Sequence, residues 1–414
     1  MSTFRILIFT LCGDVDKFIF SFKMIIFTHS MERTHHICYY MHINVLMAYR
    51  YCAPGRTLIM NRAEAMHNND DYPIDIVIAW VDGSDPEWKA LKDSYDSGFA
   101  GAATDNTVRT DSDDSDERYR DWDILKYLFR GIENCMPWVR TIHFVSCGQI
   151  PVWLNVSHPK LHLVSHTDYI PSQYLPTFNS HTIELNFHRI EGLSEHFIYF
   201  NDDMFITSPL DRHDFFIGGK PVDMLALQPV VANPQNEVMS HIYLNNTLAI
   251  ARHFNKYDNM HQYPHNYFNI HYPIKNYVYN NLERVFPLYT GFYTAHGASP
   301  LCISTYKEVW EKEHDLLDAT CSHRFRNKED VSQYLLREWQ KQTDQFVSVN
   351  IDKLLGYYNI SNDSKSIVCA ILSRSKKTLC INDSNTPVDF MRIKSELTQA
   401  FEQVFPDKSQ FEVL

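Results

Sequence analysis

Phe197-Ile198-Tyr199-Phe200 runs directly into Asn201-Asp202-Asp203. Four apolar residues in a row read as a strand buried on both faces. The carboxyl end of such a strand is where an open α/β sheet presents its reactive groups. Asp202 and Asp203 cannot both be buried as bare anions, because each needs a partner or a metal. A divalent cation bridging them to a diphosphate would satisfy both. The plainer alternative is a strand followed by an acidic turn, so other parts of the chain have to decide.

A second buried strand is expected at Ile74-Asp75-Ile76-Val77-Ile78-Ala79-Trp80, which is β-branched and mostly apolar. The turn after it, Val81 to Pro86, offers Ser84 or Asp85 as a helix cap with Pro86 in the first helical position. Leu125, Leu128, Phe129 and Ile132 repeat at i, i+3, i+4 and i+7, the face of an amphipathic helix. Further strands are expected at Thr141–Ser146, Leu161–Ser165 and Thr378–Ile381. A last helix would turn Phe390, Ile393, Leu397, Phe401 and Val404 to the core. Strands alternating with helices imply a mostly parallel, Rossmann-like α/β sheet with helices on both faces. Residues 220–295, dense in Asn, His, Tyr and Pro without a steady period, read as an inserted, loop-rich lobe with some helix. Residues 304–345 read as helical. Residues 96–117 read as a solvated acidic loop, with a calcium loop as the weaker alternative.

The 414 residues can bury a large core, and 44% hydrophobic with 21% charged residues is a globular composition. A formal net charge of −12 argues against a nucleic-acid partner. The nine cysteines are odd in number and include no CxxC pair, so a reducing compartment is expected rather than a disulfide framework or structural zinc. Residues 1–70 lack a period and contain Met31, Met41, Met47, Met60 and Met66, all possible starts. They read as an extension, or a start placed too early, ahead of one domain over residues 71–414. No run of 18 apolar residues would span a membrane. His253, His261, His265 and His271 look like a metal cluster, but Pro264 interrupts the one helical pair and no zinc spacing fits.

Four long blocks stand out. IDIVIAWVDGSDPEW begins at Ile74. A second block runs from RYRDWDILKYLFRGIE at Arg118, through PWVRTIHFVSCGQIPVWLN, to FHRIEGLSEHFIYFNDDMF. TAHGASP and RFRNKEDVSQYLL lie within Thr294–Leu336, and CINDS with FPDKSQFE within Thr378–Phe411. In this order the blocks resemble the four conserved regions of the Stealth family of sugar-phosphate transferases. The likeness covers roughly residues 74–414 and is closer to bacterial capsule and exopolysaccharide members. It implies a sheet like that of GT-A glycosyltransferases. It also implies transfer of a hexose 1-phosphate from a nucleotide sugar to a glycan hydroxyl, with release of a nucleoside monophosphate.

Such a transfer needs charge neutralisation, in-line positioning and a base for the hydroxyl proton. With the resemblance, Asp202 and Asp203, and Asp82 at the neighbouring strand end, are expected to hold Mg²⁺ or Mn²⁺. Asn201 would bind a ribose or sugar hydroxyl. His188, Arg189 and Glu191, in the block before the acidic pair, are expected to face the same cleft. Arg326 and Asp330, four apart on an expected helix, form either an ion pair or part of a phosphate clamp. His296, beside Gly297, is the expected general base. Asn382 and Asp383 would close the site from the C-terminal side, and Arg118 and Arg120 would touch nucleotide phosphates. The expected partners are a nucleotide-sugar donor and a glycan acceptor, with peripheral contact to membrane-bound polysaccharide assembly. The expected location is the cytoplasm, at the inner face of the membrane. The rival readings are a metal-dependent glycosyltransferase releasing a nucleoside diphosphate and a non-catalytic glycan-binding protein.

Overall fold

The computed structural model describes residues 22–24, 41–43, 71–100, 112–113, 119–234, 236–383 and 387–413. The chain divides into two units, Met1–Asn61 and Arg62–Leu414. In the first, Phe22–Met24 pairs antiparallel with Met41–Ile43. The rest of the reading of residues 1–70, and most of the acidic 96–117 loop, lies outside the described residues.

The second unit is built on a five-stranded sheet. Its strands are β1 (Ile74–Ala79), β2 (Ile142–Ser146), β3 (Leu161–Ser165) and β4 (His196–Asn201). After β5 (Met204–Ile206), which belongs to a second sheet, the fifth strand is β6 (Ser299–Cys302). The order is β6-β4-β1-β2-β3. The inner pairings are parallel, and only β6 runs antiparallel, on the edge beside β4. Alternation along the strands splits the core into two layers. Ile76, Ile78, Phe144, Ile198 and Phe200 pack into one. Val77, Val145, Phe197 and Tyr199 pack into the other. Both faces are therefore covered, as near-continuous apolar strands require.

Helix α1 (Pro86–Ala100) starts at the expected cap, where Asp85 Oδ1 accepts the amides of Glu87 and Trp88. Helix α2 (Leu125–Cys135) buries Leu125, Leu128, Phe129 and Ile132. Helix α3 (Ser180–Leu185) precedes β4. The 220–295 region is more helical than its sequence suggests, with α4 (Glu237–His253) and α5 (Ile274–Leu282) joined by two shorter helices. Its helices hide their period because they bury amides: Asn280 accepts the Leu227 amide and donates to the Leu225 and Tyr267 carbonyls. Next come α6 (Ile303–Lys312), α7 (His314–Ser322) and α8 (Tyr334–Gln342). A three-stranded sheet places β7 (Leu355–Asn359) parallel to β8 (Thr378–Asn382), with β5 antiparallel on the other side of β8. Helix α9 (Phe390–Val404) buries Ile393, Leu397 and Phe401. Arg130 of α2, itself buried, grips Glu412 through two hydrogen bonds of 2.7 and 2.9 Å, stitching the C-terminal segment onto the core.

One carboxylate inside the main sheet is structural. Asp75 is fully buried and accepts from Arg140, the Ser194 amide and His143. Burial alone would raise its pKa; His143, Arg140 and the Ser194 amide instead bring it down to about 2. Asp75→Ala should cost about 3–5 kcal/mol, because it strands the partners of a buried ion. Denaturant unfolding measures this, and a loss under about 1 kcal/mol would contradict the buried-pair account.

Candidate active site

Strands β1 and β4 run in parallel register, with Ala79 opposite Asn201. Their carboxyl ends therefore open on the same edge, and a cavity of about 1020 Å³ lies there. It is walled by the Asn201–Asp203 turn, the segment before α2, the start of α3, residues 293–296, the start of α8 and the end of β8.

The acidic side centres on Asp203. Its Oδ2 lies 3.3 Å from His296 Nε2 and accepts from the Cys380 thiol at 3.3 Å, while its buried Oδ1 has no partner among the described residues. Burial alone would raise its pKa, but His296 and Cys380 hold it below the ordinary value. Asp202 is pushed up to about 8 by burial and by the neighbouring Asp203. Asp121 also lines the cavity, accepts from Trp80 Nε1 and is raised to about 6, mainly by burial. Three carboxyls this crowded, one of them with an orphaned buried oxygen, fit a hard divalent cation. Among the described residues, Asp203, His296 and Cys380 also bring three ligand atoms within 4.8 Å of one another. Burial keeps the Cys380 thiol well above its usual pKa, so it serves Asp203 as a donor.

His296 is gripped at Nδ1 by the Tyr334 hydroxyl at 2.6 Å. The ring therefore spans the Tyr334 hydroxyl at Nδ1 and the Asp203 carboxylate at Nε2. The loop that bears it hangs on α8. Buried Arg337 donates to the Ala295 carbonyl and forks onto Asp223, while Thr294 donates to Glu338. Gly297 suits the close approach of β7, since a Cβ there would lie 2.7 Å from Leu355 Cδ2.

The cationic side is Arg326, whose guanidinium holds Ser180 Oγ at 2.7 and 3.1 Å, and Arg120, paired with Asp383 at 3.4 Å. His181 stands beside Ser180 at the start of α3 and lines the cavity. Asp330 Oδ2 takes its Nδ1 at 3.2 Å, and its Nε2 makes no hydrogen bond among the described residues. Asp330 Oδ1 takes His323 Nδ1 at 2.6 Å.

Among the residues singled out in the sequence, the fold brings His296, Arg326, Asn201, Arg120, Asn382, Asp383, Asp202 and Asp203 to the cavity. Arg118 lies outside the described residues. Asp82 is not on the wall: its Oδ1 turns back onto the Ser84 amide and hydroxyl, the usual Asx turn. The third carboxyl is Asp121 instead. Arg326 and Asp330 do not share a helix. Residues 326–327 form a short strand, and Asp330 accepts the Asn327 amide, a local bond that competes with helix. Asp330 is fully buried and meets the cavity only through His181. His188, Arg189 and Glu191 lie away from it. They follow α3 beyond its C-terminal end, while His181 lines the cavity from its start. His188 packs on Tyr306 and Trp310 and is driven down to about 3 by burial, Arg189 lies over Trp310, and Glu191 is exposed. His253, discounted as a ligand, pairs with Glu313. Reading by motif misses Asp121, His181, Tyr334 and Cys380. Asp121 lies within RYRDWD and Cys380 begins CINDS, so their only sequence signal is membership of those blocks.

Family models match in three places: Stealth protein CR1, conserved region 1, at residues 72–100; CR2, conserved region 2, at 118–222; and CR4, conserved region 4, at 370–414. The chain is 37% identical over 339 residues to the capsular polysaccharide phosphotransferase WcwK of Streptococcus pneumoniae, covering 82% of this chain and 98% of that one. It is 36% identical over 341 residues to the receptor polysaccharide phosphotransferase WefC of Streptococcus gordonii, covering 82% and 99%. Mouse xyloside xylosyltransferase 1 overlays at a TM-score of 0.32 and 10% identity, covering 76% of this chain and 99% of that one, too weak a likeness to add to the strand order above. Identity sustained across nearly the full length of the phosphotransferases, with three conserved regions in order, means that the chain belongs to the Stealth family.

Proposed function

We propose that this phosphotransferase moves a hexose 1-phosphate from a nucleotide sugar to a hydroxyl of a glycan, in capsule or exopolysaccharide synthesis. The observation that carries the reading is the near-full-length likeness to relatives named for capsular and receptor polysaccharides. The cavity supports it, because carboxyls and guanidiniums face one space large enough for a nucleotide sugar.

The acceptor oxygen would attack the phosphorus attached to the sugar. A P–O bond forms, the P–O bond to the nucleoside phosphate breaks, and a nucleoside monophosphate leaves. His296 takes the hydroxyl proton, its ring held by Tyr334. Arg326 and Arg120 bind the charge that spreads over the phosphoryl oxygens. Asp202 and Asp203 would hold Mg²⁺ or Mn²⁺, with Asp121 beside them, and the ion when bound supplies neutralisation of the diphosphate. Asn201 is suited to a sugar or ribose hydroxyl. The protein would work in the cytoplasm beside membrane-bound polysaccharide assembly. His181 is a second candidate base, favoured by the buried carboxylate at its Nδ1 and by an Nε2 without a hydrogen bond among the described residues.

Incubation with a panel of nucleotide sugars tests the reaction. The expected nucleotide product is a monophosphate, and the phosphorus-31 spectrum of the glycan shows one phosphodiester per transferred hexose. A phosphorus-free product with released nucleoside diphosphate would make the protein a glycosyltransferase.

A further inference from the structure

Helix α5 is inside out. Asn276 and Asn280 face the protein and are buried, with Asn280 making three hydrogen bonds to backbone groups. Ile274, Val278 and Leu282 recur every fourth residue on the opposite side, in solvent. Ile274 is 82% exposed and Leu282 58%. The chain then continues the apolar surface with Val285 at 74%, Phe286, and Leu288 at 72%. Soluble proteins seldom leave a run of large aliphatic side chains open in this way unless something covers it.

The charge around this surface selects what covers it. Between residues 264 and 288 the only acidic residue is Glu283. It is buried and paired with Lys256 at 3.3 Å. The exposed charges of the segment are Lys275 and Arg284. In a chain of net charge −12, this is a local patch of the opposite sign. Tyr277 and Tyr279, half-buried, flank the aliphatic stripe, as amphipathic rings do at a membrane interface. Aliphatic anchors with a cationic rim and no exposed acid within the segment match the headgroup and acyl boundary of an anionic bilayer, and the nearest exposed acid in sequence is Asp258, beside the Tyr257 that bonds Arg284. No helix among the described residues is long and apolar enough to cross a membrane, so the contact would be in the interface plane. Tyr293 and Thr294, a few residues further on, line the cavity. The same stretch of chain therefore links this surface to the site.

We propose that the Ile274–Leu288 surface docks the protein on an anionic lipid bilayer. The proposal does not depend on which group is transferred in the cavity. The test is co-sedimentation of the whole protein with phosphatidylcholine vesicles and with vesicles of equal phosphatidylcholine and phosphatidylglycerol. The wild type should partition about tenfold or more strongly onto the anionic vesicles, and salt should weaken it. The I274S/V278S/L282S variant should lose that binding about tenfold or more, and K275E/R284E should lose the preference for anionic lipid. Both variants should melt within a few degrees of wild type, since the replaced side chains are exposed. They should also keep activity on a short soluble acceptor. Wild type that stays in the supernatant with both vesicle types overturns the proposal, as does binding that survives in both variants. A wild-type dimer that I274S/V278S/L282S converts to monomer, without vesicle binding, would overturn it in favour of a second copy of this chain.

Discussion

Asp203→Asn should lower turnover about 10³-fold while shifting the melting temperature by only a few degrees. The carboxylate makes the contacts with His296 and Cys380, and its buried Oδ1 has no hydrogen-bond partner among the described residues. Loss of several kcal/mol of charge stabilisation in the transition state gives a factor of this size. Asp202→Asn should act in the same direction. Full activity of either variant in excess chelator would remove the cation from the mechanism. The metal-free wild type carries a pH signature as well. The Asp202 pKa is raised in the folded protein to about 8, against 3.8 for the free group. The folded state then holds a proton that the unfolded state has lost, so stability falls as pH rises from about 4 to about 8. A bound cation expels that proton and should flatten the slope. Melting temperatures across this range, with and without Mg²⁺ or Mn²⁺, measure both effects.

His296→Ala should lower kcat by about 10²–10⁴-fold and leave donor affinity within a few-fold, because a base acts only on the acceptor proton. Tyr334→Phe should have a smaller effect in the same sense, since it removes only the group that fixes the ring. His181→Ala is the informative companion. If it carries the larger loss in kcat, the base is His181 with Asp330 behind it. If donor affinity collapses in His296→Ala and kcat does not, His296 binds rather than catalyses.

The parts of this fold that can be read from sequence are those whose signal is local. The run Phe197–Phe200 is apolar on both sides because both sides of β4 are covered. The acidic pair stands beside it in the chain as it does in space. The four-residue face of α2 and that of α9 are equally local. What resists reading depends on distant partners. Nothing near Cys380 says that its thiol will meet Asp203, which is 177 positions away. His181 looks like any histidine until Asp330 is folded behind it. The spacing of Arg326 and Asp330 suits a helix, but the Asp330 carboxylate takes the Asn327 amide and two imidazoles instead. In the 220–295 region buried amides such as Asn246, Asn276 and Asn280 share the packing with Ile242, Ile250 and Tyr267, which blurs the apolar period.

The second sheet has a consequence for how the protein is made. Among the described residues strand β5, which follows the acidic pair directly, is paired only with β8, 172 or more positions further along the chain. The same late segment supplies Cys380 to Asp203, Asp383 to Arg120 and Glu412 to Arg130. During synthesis, which proceeds from the N-terminus, a chain emerging from the ribosome has its acidic pair long before it has what steadies it. The acidic pair is therefore without these partners until residues 378–412 have been made.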